Sequence, residues 1–562
     1  MSAIDEAVKS LVDHRNVWAS LAIPARIELL RRMMDDTVAA GEDWVRTACA
    51  AKRIDFDSPA AAEEWFGGPI TVMRNLRLFL QTLRQIQTEG RPSLPDSAVR
   101  VRPDGQVVAR VFPQGLDDKI LYSGFTAEVW MEPQVRRDQL RDTMARIYQK
   151  GQKGQNRVGK VALVLGAGNV ASIGPMDVLH KLYVENQVCV LKMNPVNEWS
   201  GPLVERCFRA LVDAGFLRVV YGGADVGEAL VHHAGVEEIH ITGSDRVHDI
   251  IVWGAGDEQA KNRKAGTPKI KKRITSELGC VTPVIIVPGE WSDKELQFQA
   301  ENVATMVANN ASFNCNAAKA LVVAKSWRQR GEFLSRVEAA LRTIPRRYAY
   351  YPGSDRKYEA FLAAHPDARL LGERTPDAIP WTLIPNVDSS DRDEVCFNTE
   401  AWCGVLAETA LDGDDAAAFL RNAVNFCNDV MWGTLSCSLV VHPSTARALG
   451  PALDQAVADL RYGSVGVNHW AAMSYALVVT TWGAYPGHTL DDIRSGIGTV
   501  HNALMFEHPQ KSVVWGPFTM FPKPPWFATH KNSHRVAPKI LAFEHSPSLF
   551  RVPGIAIAAM KG

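Results

Sequence analysis

A glycine-rich turn follows an apolar run: KVALVLGAGNVA sets Gly166, Gly168 and Ala171 in the pattern G-x-G-x-x-G/A. Such a turn brings backbone N–H groups close to a pyrophosphate at the start of a helix, so the chemistry it offers is dinucleotide binding. The ordinary pattern also wants an acidic residue about 20 residues further on, to hold a ribose hydroxyl. Here the second strand ends in Lys192 instead, and the ordinary fingerprint fails at that point. Thiols are a second resource, because a thiolate is a strong nucleophile towards carbonyl carbon. The chain has nine cysteines, with no CxxC pair and no zinc-like spacing. A third is positive charge: Gly254 to Arg273 carries Lys261, Arg263, Lys264, Lys269, Lys271, Lys272 and Arg273. One reading sets this loop against a phosphate of NADP or coenzyme A; the favoured reading is a solvated surface loop.

The elements that must position these groups alternate. KVALVLGA, CVLKMNP, RVVYGG and EEIHITGS read as short apolar strands, with helices over Asp177–Val184, Leu203–Ala214 and GEALVHH between them. That alternation implies βαβ units and a parallel sheet. It resumes after Glu277 through VTPVIIVPG, KALVVAK and CSLVVHP. Before it, residues 1 to about 90 read as helices, with Ile23, Ile27, Leu30 and Met33/Met34 at helical spacing and a second periodic run from Val72 to Ile86. VRVRPDGQVVARV predicts a hairpin turning at Asp104-Gly105, TAEVWMEP a strand, and Gln134 to Gln149 a helix that ends in the loose tract GQKGQNRVGK. The last residues, from about 505, are rich in proline and aromatics and read as packed against the body or a partner subunit.

Bulk properties bound the answer. At 562 residues the chain needs two or three domains, and Lys plus Arg equals Asp plus Glu at 62 each. That balance gives no electrostatic reason to expect nucleic acid or an anionic membrane as partner. The first residues lack the apolar core of a signal peptide, and the longest stretch without charge, Tyr462 to Leu490, is too interrupted to span a bilayer. An odd cysteine count without a secretory signal points to a reducing, cytoplasmic setting.

The blocks GAGN, VCVLKMNP, YGGADVG, ITGS, SELG and NNASFNCNA stand in the order and rough spacing of the aldehyde dehydrogenase superfamily. TEAWCGVL resembles that superfamily's glutamate-phenylalanine-glycine-proline segment, IPARIELLRRM resembles its opening helix, and the resemblance runs from about residue 17 to about 515. It implies an α/β fold: a Rossmann-like nucleotide-binding domain (1–97 and 150–287), an α/β catalytic domain (288–500), and a small β oligomerisation extension with a C-terminal tail (98–135 and 505–562). The extension would pair with a partner subunit in a homodimer or homotetramer.

The resemblance also assigns roles. Cys315 is the nucleophile that forms a thioester, although the family's glycine and glutamine ahead of it are here Ser312 and Phe313. Glu277 activates the water that hydrolyses the thioester, and Asn169 donates its amide to the oxyanion. NAD or NADP would be held by Lys192, by Gly223, by the turn Thr242, Gly243 and Ser244, by Glu400, and by Trp402 in place of a phenylalanine. Where NAD-preferring members carry a glutamate three residues after the lysine, this chain has Pro195, with Glu198 three further on. The aromatics Phe313, Trp402 and Trp470 suggest a bulky or apolar aldehyde. Two alternatives stand beside oxidation to the acid. One is a coenzyme A-acylating dehydrogenase or acyl-CoA reductase, which Asn194-Pro195 resembles; the other is a non-catalytic scaffold that retains the fold.

Overall fold

The computed structural model describes residues 2–149 and 158–562, so most of GQKGQNRVGK lies outside the described residues. Two sheets organise the chain. The first has six strands in the order Gly496–Ile497, Arg273–Glu277, Glu238–Thr242, Lys160–Leu165, Gln187–Lys192, Leu217–Val220. All neighbours are parallel except the first pair. Four of the six, Glu238–Thr242, Lys160–Leu165, Gln187–Lys192 and Leu217–Val220, are strands read from the sequence, whereas Arg273–Glu277 and the short Gly496–Ile497 are not among them. The central strands are buried, as expected of a parallel sheet covered on both faces, and the edge strand Leu217–Val220 is half-buried. The helix expected over Leu203–Ala214 is two pieces, Gly201–Cys207 and Arg209–Asp213, because Phe208 leaves helical geometry.

The second sheet has eleven strands. Its parallel centre runs Pro509–Trp515, Ser464–Val467, Ser436–Val440, Thr282–Ile286, Ala318–Ala324, Val405–Leu411, Trp381–Val387, with the antiparallel strand Arg369–Leu371 at one edge. At the other edge the hairpin Val99–Val101/Val107–Phe112 and the strand Thr126–Met131 attach antiparallel to Pro509–Trp515. Gly105, at φ +90°, makes the predicted turn. The β extension is therefore joined to the larger sheet within one chain, through a strand from near the C-terminus.

The segment Gln134–Gln149, expected to be helical, forms only 3-10 turns at Leu140–Thr143 and Arg146–Tyr148. Ala145 sits in the left-handed region and donates its N–H to the Met505 carbonyl (2.9 Å), so a distant strand connection takes the hydrogen bond that a helix would use. The basic stretch is likewise not a loop: Gly256–Ala265 is an exposed helix. No helix of the described residues is long and apolar enough to cross a membrane.

The C-terminal residues pack on the body. The helix Ser533–His545 buries Glu544 between Arg74 (2.7 Å) and Arg77 (2.6 Å) of the helix Thr71–Glu89. These two guanidinium groups hold the Glu544 carboxyl below its usual range, against the burial that would raise it. Removing one partner of a buried pair leaves the other charged and unpaired. Glu544→Leu is expected to lose about 3 kcal/mol of stability, seen as a lower urea midpoint at unchanged slope; a midpoint equal to wild type would show the tail not to depend on this pair.

Candidate active site

Cys315 lies in the turn between the helix Asp293–Ala308 and the strand Ala318–Ala324. Its thiol donates to Glu277 Oε1 at 3.3 Å. Glu277 is the last residue of Arg273–Glu277, so the contact joins the ends of the two sheets. Asn169 follows the strand Lys160–Leu165, and its Nδ2 donates to the Phe313 carbonyl at 2.9 Å, two residues before the thiol. An amide has two N–H donors, so one remains for a ligand. Cys315, Glu277 and Asn169 all line one cavity of about 820 Å³.

The backbone ahead of the thiol is strained. Asn310, Ala311 and Ser312 have φ of 52°, 56° and 67°, three successive non-glycine residues in the left-handed region. Each such residue costs on the order of 1–3 kcal/mol and persists only where its surroundings hold it. Ser312 is held from behind by Lys319, whose Nζ donates to its carbonyl and hydroxyl at 3.0 Å each. Lys319 is fully enclosed, and burial brings its pKa down to about 8. Its one sign in the sequence is a lysine inside the apolar strand KALVVAK.

Burial sets the electrostatics. It raises Glu277 to about 7, with Asp177 adding to the effect. It raises the Cys315 thiol well above its ordinary value, and the carboxylates of Glu277 and Glu400 push in the same direction. Glu400 is itself raised to about 7 by burial, which Lys357 and Lys319 partly oppose. The resting thiol is thus protonated and points its hydrogen at a carboxyl poised near neutrality. A cation brought beside the sulfur would favour the thiolate.

Of the residues assigned to the nucleotide, Lys192, Gly223 and Thr242 to Ser244 lie at the C-terminal ends of parallel strands, where ligands of open α/β sheets bind, whereas Glu400 and Trp402 precede the strand Val405–Leu411. Lys192 ends Gln187–Lys192, Gly223 precedes the helix Ala224–His232, and Thr242 to Ser244 follow Glu238–Thr242. Lys192 is 7% exposed, and among the described residues its ammonium has no hydrogen bond or ion pair; burial lowers its pKa, with Glu198 and Asp225 opposing. A buried, unpaired cation suits a ribose or phosphate oxygen. Ser244 caps the helix Asp245–Trp253, a terminus that favours anions, and Gly243 N–H donates to the Glu277 carbonyl at 3.0 Å. The Thr242 hydroxyl turns inward and donates to Asp177 Oδ2 (3.0 Å). Glu400 leans over the residues after Glu277: its Oε1 accepts from Cys280 N (3.3 Å), and a Cβ on Gly279 would lie 2.4 Å from its Oε2. Trp402, at φ +49°, has a buried indole N–H without a partner among the described residues. The free cation and the helix start fit the ribose and phosphate oxygens of a nicotinamide nucleotide.

Two neighbouring features refine that fit. Glu198 Oε1 accepts from Gly222 N–H (2.9 Å), so the turn Pro195–Ser200 returns a carboxylate to the neighbourhood of Lys192 despite Pro195. In the basic stretch, Arg263 pairs with Asp249, Lys269 with Glu258, and Arg273 with Glu185 and Glu238, while Lys272 caps the carbonyls of Val231 and His233. Of the three aromatics, Trp470 lines the cavity, whereas Phe313 is buried in the loop that carries Cys315, against Tyr350 and Trp402.

Residues 175–349 match the model of the aldehyde dehydrogenase family. The chain is similar to N-succinylglutamate 5-semialdehyde dehydrogenase of Novosphingobium aromaticivorans, 26% identical over 168 residues that span 30% of this chain and 32% of that relative. The match thus covers about a third of the relative's length. In three dimensions the likeness is wider. NADP-dependent glyceraldehyde-3-phosphate dehydrogenase from Bacillus halodurans, complexed with NADP, aligns at a TM-score of 0.59 over 91% of this chain and 90% of that one, at 16% identity. Indole-3-acetaldehyde dehydrogenase with NAD+ aligns at 0.58 over 91% and 88%, at 18% identity.

The thiol–carboxylate contact makes a prediction. Glu277→Gln removes the nearest negative charge opposing the thiolate, so the pH midpoint for alkylation of Cys315 falls, on the order of one unit. An alkylation profile that stays in place would show that the two groups do not interact, and one that moves upward would show that Glu277 promotes ionisation of the thiol instead of opposing it.

Proposed function

We propose that this chain, a member of the aldehyde dehydrogenase superfamily, oxidises an aldehyde to a carboxylic acid with NAD or NADP, through a thioester on Cys315. The observation that carries the reading is the 3.3 Å thiol–carboxyl contact between Cys315 and Glu277 at the wall of a large cavity. Glu277, near 7, takes the thiol proton, and the sulfur adds to the carbonyl carbon. Carbonyl π electrons move to oxygen, where the free N–H of the Asn169 amide meets the negative charge. Oxidised nicotinamide nucleotide, when bound, supplies the positive charge that favours the thiolate and the acceptor for the aldehyde hydride. Once Glu277 has released the thiol proton to solvent, it draws a proton from water, and the resulting hydroxide adds to the thioester carbon. The C–S bond breaks to give the acid and the Cys315 thiolate, which takes the proton back from Glu277.

Glu198 favours NAD in this reading, since a 2′-phosphate beside Lys192 would meet its carboxylate. The substrate is a large apolar aldehyde. Phe66, Ile173, Trp470, Met473, Trp526 and Phe527 line the cavity, and its volume of about 820 Å³ lies in the upper range of small-molecule sites. The last two come from the C-terminal residues, which form an outer wall fixed by Ala528 N–H to Thr305 and Thr529 to Glu301.

An assay at 340 nm with straight-chain and aromatic aldehydes tests the reading. Reduction of NAD without coenzyme A, rising with pH through about 7, is expected for wild type and absent in Cys315→Ala. Glu277→Gln should accumulate acyl-enzyme and lose about 10²–10⁴ in turnover. Dependence on coenzyme A would instead favour the acylating alternative, and silence with nucleotide still bound would favour a scaffold. Glu198→Gln is expected to narrow the preference for NAD over NADP on the order of tenfold; an unaltered ratio would remove Glu198 from the account.

A further inference from the structure

The geometry points to Lys52 and Glu64 as positioning residues for the oxyanion donor Asn169 and for the loop that carries Cys315, an inference that rests on the function proposed above. Lys52 caps the end of the helix Ile23–Ala51, and Glu64 lies in the short helix Ala62–Trp65. Both are buried, and the cavity that reaches Cys315 touches both. Lys52 Nζ lies 2.9 Å from each Glu64 carboxylate oxygen, 2.9 Å from Asn310 Oδ1 and 3.3 Å from the Asn169 carbonyl. An ammonium has three donors, and these partners use them all. The Tyr350 hydroxyl lies 3.0 Å from the same Asn169 carbonyl and 2.9 Å from the same Asn310 oxygen.

The consequence is an orientation. With Oδ1 committed as an acceptor, Asn310 must present Nδ2 on its other side, where it donates to the carbonyls of Asn169 (3.1 Å) and Phe313 (3.2 Å) and to Asn314 Oδ1 (3.1 Å). The Phe313 carbonyl is the acceptor that also fixes the Asn169 side chain. Lys52 therefore acts on Asn169 twice, directly at its backbone and through Asn310 at its amide. A second pair supports the same loop: Glu63 accepts from Asn310 N–H at 2.9 Å and is held by Arg347 at 2.7 Å. Arg347 opposes the burial that pushes the Glu63 carboxyl up.

Simple stabilisation does not account for this arrangement. Buried ion pairs are often no more stabilising than apolar side chains of equal volume, yet here two of them converge on the asparagine where the left-handed run begins. What apolar residues could not do is fix which way two amides face. The N-terminal helices, far from the chemistry in sequence, thereby set the geometry in which the thiol and the oxyanion donor meet.

The test is a double-mutant cycle between the Lys52→Met/Glu64→Leu pair, which removes both charges together, and Asn169→Ala. In single turnover the charge-free variant is expected to slow nucleotide reduction about 30-fold, with nucleotide affinity within about twofold of wild type. Asn169→Ala should then cost far less in that background than in wild type, since the donor is already misplaced. Tyr350→Phe, which keeps both charges and the ring, gives a second handle should the charge-free variant fold poorly; about a fivefold loss on the same step is expected. Losses that multiply independently, or Tyr350→Phe matching wild type, would overturn the inference while leaving the proposed function intact. If wild type reduces no nucleotide with any aldehyde, the proposed function fails, and Cys315 alkylation becomes the readout. A rate altered about fivefold or more by Tyr350→Phe supports the positioning role, and an unchanged rate overturns it.

Discussion

The hydrogen bond from Cys315 to Glu277 ties together groups that belong to different sheets, and much of the surrounding structure follows from keeping it short. Glu277 ends one sheet; the chain then crosses by Leu278 to Val281 into Thr282–Ile286 of the other. That crossing is held at both ends, by Leu278 N–H to the Ser495 carbonyl and by Val281 N–H to the Trp432 carbonyl, each at 2.9 Å. Cys280 inside it is buried against Gly433, where a Cβ would come within 2.9 Å of its Cα, so the opposing loop admits only glycine at that approach. Cys280 is thus a packed side chain facing Gly433. Glu400 bonds the same crossing, its Oε1 accepting from the Cys280 N–H.

What the sequence revealed and what it hid divide along physical lines. Four strands of the smaller sheet are readable because burial makes each a short apolar run, whereas Arg273–Glu277, with the sequence RITSE, and the two-residue Gly496–Ile497 carry no such run. The turns at their ends were readable because ordered blocks at consistent spacing identify a fold even where each block is weak. The segment 134–149 was misread because its outcome is decided by a hydrogen bond to Met505, more than 350 residues away. Lys52, Glu63 and Glu64 carried no local signal at all: in sequence they are charges beside a helix end, and their partners Asn169 and Asn310 lie 117 and 258 residues off. Ser312 in place of glycine reads as erosion of the nucleophile motif. In the structure it keeps the left-handed conformation that glycine would supply, with Lys319 bearing on it from behind.

The balance of charge inside the site also had no counterpart in composition. Equal numbers of acids and bases in the chain say nothing of Glu277, Glu400 and Lys319, each enclosed and each shifted towards its neutral form by burial. Glu277 and Glu400, raised to about 7, and Lys319, lowered to about 8, set the charge around Cys315. They also make it dependent on what enters, since a cationic ligand and an apolar one would change that balance in opposite senses.

The strand Pro509–Trp515 lies between Thr126–Met131 and Ser464–Val467, strands that precede it by hundreds of residues and by several tens respectively. During synthesis, both of those edges must therefore wait, unpaired and apolar, until residue 515 has left the ribosome. Long-range strand pairing is slow to form and leaves open edges that other chains can join. The larger sheet consequently completes late, with its middle filled last, and the period before that closure is when the nascent chain most needs shielding from its neighbours.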